Sequence, residues 1–162
     1  MDLLQNAITT ISPLSAESMD AFHQSWKHWS VKKDHILLKE NTVSDYIYFI
    51  EKGVARIYYY KNGKEITEWI ALDGQFFLSI TSFFQRTPSH LIIQTIEPSE
   101  VFGIHHDDFM KLADAFGIAG RRAHTAAELR TSLRESIAAD EPALIEVPVE
   151  EMPNPWKVLE LR

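Results

Sequence analysis

The sequence predicts a mainly β protein with flanking helices, closed by a short α/β segment. Three observations carry this reading. Between Trp29 and His105 the apolar period is close to two, turn signals recur at short intervals, and Asn62-Gly63 marks a tight hairpin. On either side of that stretch the apolar spacing lengthens to that of helices.

In chain order, the first 30 residues read as a helical lead-in. Met19, Phe22 and Trp26 fall at helical spacing, with Ser15 as the N-cap. Strands are expected at His35–Lys39, Tyr46–Glu51, Val54–Lys61, Glu65–Leu72, Leu91–Ile96 and Glu100–His105. Gly53 separates the second from the third. Asn62-Gly63 joins the third to the fourth, because both central positions of a type I′ turn need positive φ. Beyond His105, a helix from Asp108 would place Phe109, Leu112, Ala113 and Phe116 on one face and stop at Gly117. Thr125-Ala-Ala-Glu128 is a capping box opening a second helix, with Leu129, Leu133 and Ile137 on its apolar face and Pro142 at its end. Ala143–Val147 reads as a short strand, and Pro148, Pro153 and Pro155 make the remainder irregular.

Composition narrows the class. Of 162 residues, 45% are hydrophobic and 24% charged, which is ordinary globular chemistry. The absence of cysteine excludes disulfides, thiolate metal sites and cysteine nucleophiles. No apolar run approaches the roughly 20 residues of a membrane span, and Met-Asp-Leu-Leu-Gln-Asn lacks the basic start of a signal peptide, so a cytoplasmic protein without a membrane partner is expected. The net charge of −7 divides into −3 before His105 and −4 from there on, so neither part offers the basic face that DNA requires.

The run from Asp45 to Trp69, continuing into Asp73-Gly74-Gln75-Phe76-Phe77 and extending through Glu97 to Val101, resembles the sensor domain of Crp/Fnr transcription regulators. The strand-Gly53-strand core, the Asn62-Gly63 hairpin and the Gly74 turn stand at family-like spacing. The resemblance covers residues 11–106 and implies a cyclic-nucleotide-binding-type β-roll, a double-sheet jelly roll with a ligand pocket between the sheets. Nucleotide-binding members of that family hold the ribose with the carboxylate of a Gly-Glu pair and the cyclic phosphate with an Arg followed by Ser or Thr. A buried phosphate calls for such a charge-assisted donor. Counting forward from Gly74, the Gly-Glu pair falls on Leu78-Ser79 and the Arg-Ser/Thr pair on Ser89-His90. Every key side chain is changed. Arg86 stands three positions early, in what reads as a loop tip. The candidate pocket is therefore Phe77, Leu78, Ser79, Ser89, His90 and Leu91, for a small-molecule effector other than a cyclic nucleotide.

Crp/Fnr regulators continue into a long dimerisation helix and a helix-turn-helix domain, for which the 42 residues after Gly120 leave no room. Residues 108–156 instead resemble the C-terminal end of acetolactate-synthase-type thiamine-diphosphate enzymes, in the Phe109–Gly117 helix, the Ala127-Glu-Leu-Arg130 helix and the Pro142–Val149 strand. The cofactor's metal-binding segment and activating glutamate, which the resemblance would require, have no counterpart in this chain. No thiamine activity and no cofactor are expected. The join of two unrelated resemblances leaves open a natural gene fusion and an artificially assembled chain.

Other groupings point to structure before chemistry. His105-His106-Asp107-Asp108 invites a metal, but neighbours at a strand end face opposite ways, so a solvated strand–helix junction with the two aspartates as N-cap and dipole partners is expected. Tyr58, Tyr59, Tyr60 and Trp69 could stack nucleic-acid bases, yet Glu65 and Glu68 offset Arg56, Lys61 and Lys64, and cross-strand packing explains the rings. Arg121-Arg122 is too small for a nucleic-acid patch. Serine-nucleophile and phosphate-loop motifs are missing. The sequence thus predicts residues 1–106 as a non-enzymatic sensor and 107–162 as an appended tail, with no catalytic or metal residues. The alternatives are a structural or oligomerisation module with an empty pocket, homodimerisation left open, and a thiamine-enzyme fragment needing a partner chain.

Overall fold

The computed structural model describes residues 2–11, 15–109, 118–140 and 143–148. Helices α1 (Asp2–Ile11) and α2 (Ala16–Ser25) lead into strands β1 (Trp26–Val31), β2 (Ile36–Leu38), β3 (Tyr46–Lys52), β4 (Ala55–Lys61), β5 (Lys64–Ala71) and β6 (Phe76–Phe77). Helix α3 (Ile80–Gln85) separates these from β7 (Ile92–Thr95) and β8 (Ser99–His105). Strand β9 (Ala119–Arg122), helix α4 (Ala126–Ala139) and strand β10 (Ala143–Glu146) complete the described elements.

Two four-stranded antiparallel sheets, ordered β1-β8-β3-β6 and β2-β7-β4-β5, form a mainly β double layer. Between them lies a core of Leu38, Tyr48, Ile50, Ala55, Ile57, Phe77, Ile93 and Val101. The first sheet is also covered on its outer face, where α1 and α2 bring Leu4 and Phe22 against Trp26, Phe49, Phe102 and Ile104. That double burial explains why Ile47–Ile50 is an unbroken apolar run: residues on both sides of the pleat leave water.

The six expected strands all form, within one or two residues of the predicted bounds. Asn62 and Gly63 take φ of 53° and 73°, as the hairpin reading requires. Ser15 caps α2, its hydroxyl accepting from the Ser18 amide at 3.1 Å. Thr125 caps α4 in the same way at 3.2 Å, while Glu128 reaches back to the amide of His124, one residue short of a full capping box.

Several expectations need correction. Trp26 is not the last turn of α2 but the first residue of β1, paired with Ile104. Arg86 is not a loop tip. It closes α3 in the left-handed conformation, φ 55° and ψ 32°. Strand β9 was not foreseen; it pairs in parallel with β10 across α4, a crossover that only long-range pairing reveals. The apolar face expected on α4 is largely uncovered, with Leu133 44% and Ile137 76% exposed, and the buried position is Ser132. His105 ends β8, and residues 106–109 are helical, so Asp107 and Asp108 sit inside the first turn and not at its cap. His106 is buried, against the expectation of a solvated junction. The predicted Leu112–Gly117 portion of that helix, the Pro142 stop and the Pro153–Pro155 tail lie outside the described residues.

Candidate functional site

The segment between β6 and β7 is built to hold a wall beside the second sheet. Phe77, buried at the end of β6, stacks on Tyr48 with ring centroids 5.3 Å apart. The Tyr48 hydroxyl donates to the Leu37 carbonyl at 3.0 Å. Its burial, followed by the nearby Tyr46 and Asp45, pushes its pKa above the usual tyrosine range, so it stays a neutral donor that fixes the floor. Ser79 occupies the N-cap position of α3 without capping it. Its hydroxyl turns instead to that of Ser89, 2.9 Å away, and Ser89 in turn donates to the Leu91 carbonyl at 3.1 Å and accepts from the Leu91 amide at 2.9 Å.

At its far end α3 is stitched to the loop before β3. Ser82 accepts from the Ser44 amide at 2.8 Å and donates to the Thr87 carbonyl at 2.6 Å. Arg86 donates to the Ser44 carbonyl at 2.9 Å and pairs with the Asp45 carboxylate at 2.5 Å.

The wall encloses a cavity of about 540 Å³ against β4 and β5. Of the six residues the sequence singled out, Phe77, Leu78, Ser79, His90 and Leu91 line it, and Ser89 sits behind, bonded to Ser79 and Leu91. Sequence reading missed Ile57, Glu68, Trp69, Phe76, Ile80 and Thr81. Trp69 had been read as cross-strand packing; it stands at the cavity and is 54% exposed. The cause is a β-bulge. Ile57 pairs with Trp69 while Tyr58 pairs with Thr67, leaving Glu68 as the extra residue, and both Glu68 and Trp69 face the cavity. Adjacent residues of a regular strand would point to opposite faces, so alternation alone could not show this.

The chemistry of this cavity does not suit a cyclic phosphate. Its lining is predominantly apolar and its one carboxylate or guanidinium group is the Glu68 carboxylate, so among the described residues no arginine or lysine lines it. Arg86, the nearest candidate in sequence, spends its guanidinium on Ser44 and Asp45. Ser79 and Ser89 turn their hydroxyls to each other. An anion placed here would lose its hydration without a charged donor in return, a cost of several kcal/mol.

The protein-family comparison matches residues 28–116, more than half of the chain, to the cyclic nucleotide-binding domain. The chain belongs to the cyclic nucleotide-binding domain family. Solved structures share the fold of this family member. The sensor domain of the transcriptional regulator DNR from Pseudomonas aeruginosa superposes with a TM-score of 0.58 at 17% identity, over 86% of this chain and 93% of its own. The catabolite activator protein of Thermus thermophilus gives 0.57 at 15% identity, over 80% of this chain and 58% of its own. The regulatory domain of Toxoplasma gondii PKA, crystallised with cAMP, gives 0.54 at 12% identity, over 61% and 38%. The chain therefore spans well under two thirds of the length of the latter two. No curated protein matches the sequence.

The cyclic nucleotide-binding domain match also corrects the reading of the chain's end. It runs through residue 116, into the segment that the thiamine-enzyme resemblance had claimed from Asp108, and no comparison supports that resemblance. No described helix is long and apolar enough to cross a membrane.

Proposed function

We propose that this chain is a non-enzymatic ligand-sensing module of the Crp/Fnr regulator type, with residues 1–106 as the sensor and 107–162 as a following segment whose first ten residues still fall within the family match. Its cavity takes a small, mostly apolar effector in place of a cyclic nucleotide. The observation that carries this is the cavity wall itself: Ser79 and Ser89, which the count from Gly74 assigns to the cassette, pair with each other, and among the described residues the lining includes Glu68 and no arginine or lysine. The exposed faces of Trp69 and Ile80 rim the opening with apolar surface that a ligand body would cover. Family membership supports the position of the pocket, and the sensor-domain relatives support the regulatory role by fold alone.

The neutral fluorescent probe N-phenyl-1-naphthylamine tests the reading. It should bind the wild-type chain with enhanced emission and quench Trp69. Leu78→Trp fills a half-buried lining position and should weaken the probe at least tenfold, equivalent to about 1.4 kcal/mol, while leaving the fold intact by circular dichroism. Absence of probe binding would favour the second reading, a structural module with an empty pocket, to which the self-satisfied Ser79–Ser89 pair also lends support.

A further inference from the structure

A second cavity, of about 170 Å³, lies where β10 meets α3 and the helical turn after β8. Phe83, Phe84 and Phe109 wall it, edge to face with one another at centroid distances of 5.1 to 6.4 Å. His106 and Glu146 are its polar groups. It is separate from the cavity beside β5, sharing only helix α3, whose Ile80 and Thr81 line the first and whose Phe83 and Phe84 line the second.

The protons around His106 do not balance. Its Nδ1 lies 3.3 Å from an Asp107 carboxylate oxygen, and its Nε2 lies 3.6 Å from Glu146 Oε1. A neutral imidazole carries one proton. Whichever nitrogen holds it, the other faces a carboxylate lone pair to lone pair. Glu146 Oε2 already accepts from Arg122 Nε at 2.8 Å, while among the described residues Oε1 has only His106 beside it. The two carboxylates differ in their surroundings. Asp107 is 73% exposed and meets water, with His105 Nδ1 3.6 Å away, whereas Glu146 is 23% exposed and paired through Oε2 with Arg122. The half-buried Oε1 face of Glu146 can accept a further positive charge.

Two things could supply that charge at this spot, a proton on His106 or a cation entering the cavity. The contact with His106 holds the Asp107 carboxyl below the usual carboxylate range, and an imidazole proton on Nδ1 would point at that carboxylate, 3.3 Å away. Nε2 and Oε1 are then two acceptors 3.6 Å apart on the cavity wall, a span that one donor nitrogen can bridge at normal hydrogen-bond lengths of about 2.8–3.0 Å to each. Three phenyl rings around the same space suit a cation and its apolar body. The volume lies below the roughly 300–1,000 Å³ of cavities for larger ligands.

We propose that this junction cavity is a binding site for a small primary amine, held as its ammonium by Glu146 Oε1 and His106 Nε2 with its hydrocarbon against Phe83, Phe84 and Phe109. Ammonium binding and protonation of His106 exclude each other.

Calorimetric titration of the full chain with benzylamine, and with benzyl alcohol as the neutral isostere, tests this at pH 7.5. Benzylamine should bind and shift the His106 ring-proton resonances. Benzyl alcohol should bind at least tenfold more weakly. Glu146→Gln should cost at least tenfold in benzylamine affinity. Because that change also touches Arg122, Phe84→Ala serves as the second variant. Phe84 is 55% exposed and its removal spares the core, yet it should weaken the amine several-fold. Equal binding of the two probes, or no change at the His106 resonances, would overturn the proposal.

Discussion

At Gly53 the backbone takes φ +109°, and a Cβ there would lie 2.3 Å from the Ser99 hydroxyl. Its amide also donates to Asp73 at 2.6 Å, so the turn cannot slide away from the clash. Gly53→Ala should destabilise the fold by about 1–3 kcal/mol, read as a lower thermal midpoint at roughly 2–4 °C per kcal/mol for a chain of this size. Glu51 acts on a different part of the structure. Its carboxylate accepts the amides of Leu3 at 3.0 Å and Leu4 at 3.1 Å, serving as a cap for α1 supplied from β3. Burial pushes the Glu51 pKa up, but the hydrogen bonds it accepts outweigh that and hold it below the usual carboxylate range. A depressed folded pKa means the stabilisation is complete above the unfolded carboxylate range and is lost as pH falls through the folded value. Hydrogen exchange at Leu3 and Leu4 should therefore lose protection on acidification. Glu51→Gln should show much of that loss already at neutral pH. Equal protection in the variant and the wild type would remove Glu51 from this role.

At the scale of elements, α3 is short and its ends matter more than its middle. Arg86 closes it in a left-handed conformation and ties it to Ser44 and Asp45. The ion pair is partly exposed, so Arg86→Ala should cost under about 2 kcal/mol, with faster amide exchange concentrated in α3 and little change in β3 or β8. Uniform exchange across the chain would contradict this local role. The elements that escaped sequence reading share a physical cause. Strands β2, β3, β4, β5, β7 and β8 declare themselves as short β-rich runs between turn signals, Asn62-Gly63 among them. Strand β6 is only Phe76–Phe77 and exists because Phe49 and Tyr48 pair with it. Trp26 fits helical spacing from Met19 and Phe22, and only its partner Ile104 makes it a strand residue. The site followed the same division. Phe77, Leu78, Ser79, His90 and Leu91 were legible because the Crp/Fnr resemblance lets the pocket be counted forward from Gly74, whereas Trp69 and Glu68 reach the cavity through a bulge that no local pattern encodes.

For the molecule as a whole, the two sheets of this cyclic nucleotide-binding domain flank a cavity with a mostly apolar lining, and we propose that it is the ligand pocket. The strand pair β9–β10 is not left hanging. Glu146 lies 3.6 Å from His106, Arg122 braces it, and Leu144 and Val147 meet Phe83 and Phe109 across the small cavity. The overall charge of −7 adds a further penalty for an anionic ligand, modest at physiological salt because screening acts over about 8 Å. The central claim is that this pocket does not hold a cyclic nucleotide. Equilibrium dialysis of the full chain against radiolabelled cyclic AMP and cyclic GMP at millimolar concentration tests it most directly. The account predicts equal radioactivity on both sides of the membrane; saturable retention of either nucleotide, lost in Leu78→Trp, would contradict it.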